Sequence, residues 1–371
     1  MIELLEQCLR IPSLSGQESA VARFLVDEMQ RRFGPRGRAF VDDAGNAVGI
    51  IGDGPRQIVL LGHMDTVGGD VPVRCEDGKL YGRGAVDAKG PLCTFILAAE
   101  RAAAAAEWPA DWQLIVVGAT EEEAASSKGA RFAATQYRPE LCVIGEPSAS
   151  DGITLGYKGR ILISARFEQD SQHTALPGAN ASEAAVGLWN ALAGHAAAFN
   201  ADKPKAFDQI LPSLRKIQSG DDGLREWCEI VAALRLPPDF APDAAQHFVA
   251  EWEDQRRQPR AGDLRSPIRA EYAFRGPEHA WRSPKDTPLA RAFVDAIRAE
   301  GARPAFKHKT GTADFNVVGP VWGCPIVAYG PGDSALDHTP HEHVPVAEFE
   351  RAVRVMERVL RATIAAANPD S

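Results

Sequence analysis

Long hydrophobic runs are missing from this 371-residue chain: no window approaches the roughly 18 consecutive apolar residues that a membrane-crossing helix needs. The opening MIELLEQCLRIPSLSGQES lacks a basic n-region followed by an apolar core, so no secretory leader is expected and the cytoplasm is the expected compartment. Cysteine is sparse. Cys8, Cys75, Cys93, Cys142, Cys228 and Cys324 are scattered and form no CxxC pair, which argues against a disulfide framework and against a thiolate zinc site. Positive charge is in the minority, with 41 Lys and Arg against 50 Asp and Glu. The net charge of -9 leaves no overall basic footprint for nucleic acid.

What is present is an ordinary globular composition, 45% hydrophobic and 25% charged, in a chain long enough for two domains. The first 155 or so residues alternate short apolar runs with helical stretches at 2–9, 18–32 and 92–106, the pattern of a largely parallel sheet covered by helices. The alanine-rich AAERAAAAAE reads as a packed helix rather than a linker, because alanine is the best helix former. Buried strands are expected at QIVLL (57–61), WQLIVV (112–117), LCVI (141–144) and PIVAY (325–329), each short and continuously apolar.

The residues after those strands carry the chemistry. GHMD brings His63 and Asp65, GATEEE brings Glu121, Glu122 and Glu123, GEP brings Glu146, and GPGDSALDHTPHEH brings His338. In an open α/β sheet, ligands bind just beyond the carboxyl ends of the strands, so four strand ends deliver acids and imidazoles to one region. Between the first two strands, LYGRGAVDAKG sets Asp87 among Gly82, Gly84 and Gly90, which allow tight turns. His63, Asp87, Glu122 or Glu123, Glu146 and His338 mix imidazole and carboxylate in a way that suits zinc. Five acids, Asp65, Asp87, Glu122, Glu123 and Glu146, cannot share a cleft ionised unless cations compensate them. Two divalent ions supply four charges and suit hydrolysis. Taken alone, HMD or GEP would read as a strand-end loop, and three glutamates as a solvated helix start; their joint occurrence favours the metal site.

GHMDTV, LYGRGAVDAKG, ATEEE, GEPS and QHTALPGANA resemble, in order, the motifs of the zinc-dependent aminoacylase and carboxypeptidase G superfamily, which includes acetylornithine deacetylase and succinyl-diaminopimelate desuccinylase. Within it, ITLGYKGR, KTGTADFN and AYGPGDSALDHTP look most like hydrolases that release lysine from an amino-group carrier protein, also described as acetyl-lysine deacetylases. The resemblance implies an α/β fold: a zinc-exopeptidase-like catalytic domain of residues 1–156 plus 283–371, with an inserted α+β lid and dimerisation domain of residues 157–282.

It implies two Zn2+ per chain, with Co2+ as a substitute. His63 and Glu146 would hold one ion, Glu123 and His338 the other, and Asp87 would bridge. Asp65 would orient His63, and Glu122 would be the general base. His173 of the lid would serve a partner subunit's site as oxyanion donor, and Asn180 and Arg235 would bind a substrate carboxylate. Lys309, Thr312 and Asp314 would form a binding loop, with Asp314 paired to a substrate ammonium. His341 and His343 read as exposed loop histidines. The lid strand YKGRILISARFEQD is expected at a sheet edge, through which a homodimer would form. The arginines at 256, 257, 260, 265 and 269 read either as a patch that steers an acidic carrier or as a solvated face. The implied activity is release of lysine or ornithine from a carrier-linked or N-acylated form. The alternatives are an acetylornithine or succinyl-diaminopimelate type deacylase, a zinc dipeptidase or carboxypeptidase of the same fold, and a non-catalytic metal-binding homologue.

Overall fold

The computed structural model describes residues 1–104, 108–258 and 262–366. The chain divides into two units: Met1–Gly156, Arg282–His308 and the chain from Ala313 onward make the larger, and Tyr157–Trp281 with Lys309–Thr312 the smaller. In chain order the strands are β1 (Gly37–Val41), β2 (Ala47–Ile51), β3 (Arg56–His63), β4 (Arg74–Glu76), β5 (Lys79–Tyr81), β6 (Trp112–Ala119), β7 (Leu141–Gly145) and β8 (Gly152–Tyr157). The smaller unit carries β9 (Gly159–Asp170), β10 (Leu211–Asp221), β11 (Arg225–Leu236) and β12 (Arg269–Glu278). Then follow β13 (Trp281–Arg282), β14 (Ala305–Lys309), β15 (Ile326–Tyr329) and β16 (His343–Pro345).

The sheet of the larger unit runs in the order β1-β2-β6-β3-β7-β15-β8. β3 is parallel to β6 and β7, and β15 is parallel to β7. Their register brings the carboxyl ends level: His63 lies opposite Ala119, Gly62 opposite Gly145, and Gly145 opposite Tyr329. These are the four apolar runs of the sequence. Their continuous burial follows from helices on the faces of a parallel sheet.

Helix Lys89–Ala104 is buried on nearly every side. It approaches the sheet closely because no side chain intervenes there: a Cβ at Gly145 would sit 3.0 Å from Phe95 Cε2 and 3.0 Å from Gly62 Cα. The helix begins two residues after Asp87, so this packing also sets the height of the Asp87 turn over the strand ends. The helix read from sequence at 92–106 thus starts three residues earlier, and its expected last two residues lie outside the described ones. Helix Ile2–Leu9 spans the residues expected of it, and the next runs Ser19–Arg32. Among the described residues, no helix is long and apolar enough to cross a membrane.

The smaller unit is a four-stranded antiparallel sheet, β10-β11-β9-β12, with helices Ala181–Asn200 and Pro242–Arg256 on one face. β9 alternates strictly between buried and half-buried positions, so Ile161, Ile163 and Phe167 meet Leu188, Leu192 and Val249 of the helices. Each fully buried side chain of this size contributes about 1.5–3 kcal/mol relative to exposure.

The expectation that this first strand forms an edge is not met. β9 is hydrogen-bonded on both sides, to β11 and β12, and β10 and β12 are the edges. Its alternating pattern reports one buried face, which inner and edge strands share. β10 was not among the strands read from sequence: most of its residues are exposed, so the usual apolar and polar alternation is absent.

Candidate metal centre

His63 is the last residue of β3, and Glu146 follows β7 directly. Asp87 hangs from the turn after Gly82 and Gly84, both at positive φ, and the peptide bond from Asp87 to Ala88 is cis. Its Oδ1 lies 3.2 Å from His63 Nε2, while its Oδ2 lies 3.0 Å from His338 Nε2. One carboxylate therefore faces two imidazoles with its two oxygens. Glu146 Oε1 is 3.9 Å from His63 Nε2, and Glu123 Oε1 is 3.0 Å from His338 Nε2. One donor atom each from His63, Asp87 and Glu123 lies within 4.8 Å of the others. Asp87 thus lies between His63, with Glu146 beside it, and His338, with Glu123 beside it.

The electrostatics match this crowding. Burial would depress the His63 imidazole, but hydrogen bonds to Asp65 and Asp87 and the charge of Glu122 hold its pKa well above the usual value. Burial also opposes ionisation of Asp87, yet contacts with His338 and His63 hold its carboxyl well below the carboxylate range. Hydrogen bonds to Asp87 and Glu123 push His338 up to about 10. Glu122 moves the other way. Burial, against the pull of His63 and with repulsion from Glu146, Asp314 and Glu123, raises it well above 4.5. Its Oε2 stands 4.0 Å from His63 Nε2. Asp314, buried at the first position of helix Asp314–Trp322, belongs to the same acidic group.

The three consecutive glutamates are separated by backbone geometry. Glu121 has φ 57°, in the left-handed region, and its carboxylate accepts from Ser126 Oγ at 2.7 Å and stands 3.9 Å from Lys128. Glu122 and Glu123 face the imidazoles instead. Buried acids hold all three backbone N–H groups. Glu121 N donates to Glu18 Oε1, Glu122 N to Asp65 Oδ1 and Glu123 N to Asp65 Oδ2, each at 3.1 Å. Asp65 is fully buried, accepts also from Ser15 Oγ at 2.7 Å, and lies 3.4 Å from His63 Nδ1. Burial works against its charge, but these contacts hold its carboxyl below the usual range.

Ser15, Glu18 and Glu342 escaped the sequence reading as working residues. SLSGQE carries no signature of such a role, and Glu18 reads there as a helix start. Glu342 lies among the loop histidines with no pattern that marks it for such a role.

The remaining candidates belong to the smaller unit, Asp314 excepted. Arg235 Nη1 donates to Thr312 Oγ1 at 2.7 Å, and Thr312 Oγ1 donates to Lys158 O at 2.8 Å, so these two candidates come together. Lys309 Nζ lies 5.9 Å from the centre of the Tyr157 ring. Asn180 caps helix Ala181–Asn200: its Oδ1 accepts from Glu183 N, and Glu183 returns the bond to Asn180 N. His173 is exposed, and its Nδ1 accepts from Ala175 N at 3.2 Å, which in the neutral ring puts the proton on Nε2.

In the arginine run, Arg257 and Arg269 are largely exposed, as a solvated face requires. Arg256 and Arg257 both bind Glu253 at 2.7 Å, Arg265 donates to Leu176 O and Thr174 O, and Arg269 is 3.5 Å from Asp170. Arg260 lies outside the described residues. His343, expected in an exposed loop, is half-buried on β16 and packs against Tyr81 with ring centres 4.8 Å apart.

The family model described as Peptidase family M20/M25/M40 matches residues 59–362. A [LysW]-lysine hydrolase from Deinococcus radiodurans is 47% identical over 362 residues, covering 96% of this chain and 95% of that protein. Among solved structures, the M20 family metallo-carboxypeptidase Sso-CP2 of Sulfolobus solfataricus has a TM-score of 0.76 at 15% identity, covering 98% of this chain and 99% of that one. A dinuclear metal-binding M20 peptidase of Bacillus subtilis has a TM-score of 0.69 at 14% identity over 98% and 97% of the two chains. At those identities the two structures speak to the fold alone. The fold, the cluster of His63, Asp87 and Glu123, and a family match across most of the chain lead to one conclusion: this protein belongs to peptidase family M20/M25/M40.

Proposed function

We propose that the protein is a dinuclear metal-dependent amidohydrolase that frees lysine, with ornithine the next candidate, from an amino-group carrier protein in amino-acid biosynthesis. The observation that carries the hydrolytic reading is Asp87 between two imidazoles with Glu122 alongside. The lysine and carrier reading is supported by the 47% identical relative named [LysW]-lysine hydrolase.

The donor set fits two divalent ions. Crowding of Glu122 by Glu146, Asp314 and Glu123 is the kind of repulsion that cations relieve. We assign His63 and Glu146 to one ion, His338 and Glu123 to the other, and Asp87 to both. Zinc suits these ligands, and cobalt substitutes for it. When bound, such a pair supplies Lewis acidity to the scissile carbonyl and hydroxide at neutral pH. Glu122 takes the proton of the attacking water and passes it to the departing amine, the work of a carboxylate with a raised pKa. Asp65 fixes Glu122 and Glu123 through their backbone N–H groups and orients His63.

Arg235, pinned by Thr312, and Asn180 take the α-carboxylate of the substrate, Lys309 contributes to the same loop, and Asp314 pairs with the side-chain ammonium. His173 donates Nε2–H to the developing oxyanion in the site of a partner subunit. The chain pairs as a homodimer through the smaller unit, where the edge strand β10 exposes Leu214 and Ile217, and works in the cytoplasm. The larger unit, expected as residues 1–156 plus 283–371, acts as the catalytic domain, and the smaller, expected as residues 157–282 and joined by Lys309–Thr312, as the lid.

Amine release from carrier-linked lysine, N-acetyl-lysine, N-acetyl-ornithine, succinyl-diaminopimelate and neutral dipeptides tests the reading. Carrier-linked lysine should be cleaved most efficiently. Equal rates on N-acetyl-lysine would favour a small-molecule deacetylase, and a preference for neutral dipeptides would overturn the lysine assignment.

A further inference from the structure

Glu342 is fully buried, and its carboxylate is spent on a turn more than 250 positions earlier in the chain. Oε1 accepts from the backbone N–H groups of Gly84 and Val86 at 3.0 Å and of Asp87 at 3.1 Å. Oε2 accepts from Arg83 Nη1 at 2.7 Å, and Gly82 N donates to the backbone carbonyl of Glu342 at 3.3 Å. Three converging N–H groups and a guanidinium make this a charge-assisted clamp, stronger than hydrogen bonds between neutral groups. The turn that it holds is closely packed. Gly84 has φ +90°, and a Cβ there would already stand 3.0 Å from Thr66 Cγ2.

The clamp joins two pieces of the metal centre. Glu342 follows His338 by four residues, and His338 Nε2 stands 3.0 Å from Asp87 Oδ2. One short segment thus supplies an imidazole to Asp87 and fixes the backbone that carries Asp87. His338 has no such support from a strand: it lies in a loop at φ 61° with half of its side chain exposed. His63 and Glu146 differ, because β3 and β7 hold them through the register of the sheet.

We propose that Glu342 is a positioning residue that locks Asp87 to the His338 loop and thereby sets the affinity of the ion held by His338 and Glu123, while the ion at His63 and Glu146 depends on the sheet. This rests on the dinuclear reading above. Loss of the clamp leaves the buried N–H groups of Gly84, Val86 and Asp87 without their acceptor, and the turn must shift to satisfy them. Asp87 Oδ2 and His338 then no longer share one geometry.

Cobalt titration of metal-free protein tests the proposal, with visible absorption and metal per chain after dialysis as readouts. Wild type should take up two equivalents. Glu342→Ala should bind the first somewhat more weakly, because Asp87 serves both ions, bind the second about 10–100-fold more weakly, and fall toward one ion per chain. Glu342→Gln, whose amide oxygen can still face the three N–H groups while its NH2 opposes Arg83, should show a smaller loss and decides the matter where Glu342→Ala does not fold. Wild-type binding of both equivalents in the variants, or equal loss of both, would overturn the proposal. A wild-type chain that takes up no cobalt would instead overturn the dinuclear reading, and the proposal with it.

Discussion

Glu122→Gln removes one proton acceptor and almost no volume, and the structure assigns it two effects of opposite sign. The first is on rate. A positioned general base contributes about 10²–10⁴-fold, or roughly 2.7–5.4 kcal/mol at 1.36 kcal/mol per decade, so turnover should fall by at least about 10². Metal content should stay near two per chain.

The second effect is on the stability of the metal-free chain. Burial and the neighbouring acids raise Glu122 well above its ordinary 4.5. Between 4.5 and that raised value the folded chain holds a proton that the unfolded chain has lost. Stability therefore falls as pH rises through this window. Glutamine cannot ionise, so metal-free Glu122→Gln should melt at a higher temperature than metal-free wild type at pH 8, and the gap should close below about pH 4.5. Calorimetry on chelator-treated protein and turnover on carrier-linked lysine measure the two effects on the same preparations. Glu121→Gln is the control, since Glu121 binds Ser126 and lies near Lys128. An active Glu122→Gln beside an inactive Glu121→Gln would refute the assignment of the base. A lowered melting point would refute the electrostatic account.

His338 is held at about 10 in the metal-free protein by Asp87 and Glu123, so its ring is protonated at pH 8 and cobalt uptake there should release protons to an indicator dye; uptake without release would contradict the assignment of His338 as a ligand. Asp65→Asn turns an NH2 group toward backbone N–H groups that now donate to Asp65, and metal affinity should drop about 10–100-fold; unchanged affinity in equilibrium dialysis would remove Asp65 from the site. Subunit exchange between inactive His173→Ala and Glu122→Ala chains should restore part of the activity, because some sites then contain both groups. Proven exchange with no recovery would exclude a histidine that acts across the dimer.

Much of the architecture is local in origin, and so the sequence alone determined it. Four continuous apolar runs, three of them followed within a few residues by acids or an imidazole, specify buried strands with chemistry near their ends, and these are β3, β6, β7 and β15. Helix Ile2–Leu9 is legible for the same reason, since its apolar spacing lies within one segment. The tertiary structure alone decided which atoms meet. Three adjacent glutamates look alike to any local rule, and they diverge only because the turn enters the left-handed region at Glu121 and two buried acids hold its N–H groups. Glu18 meets Glu121 N from 103 positions away and Glu342 meets Asp87 N from 255, pairings set by sheet register and helix packing rather than by neighbouring residues. The place of β9 inside its sheet was equally hidden. A half-buried strand shows the same alternation at an edge or in the middle, and hydrogen bonds to both neighbours exist only after the chain has folded.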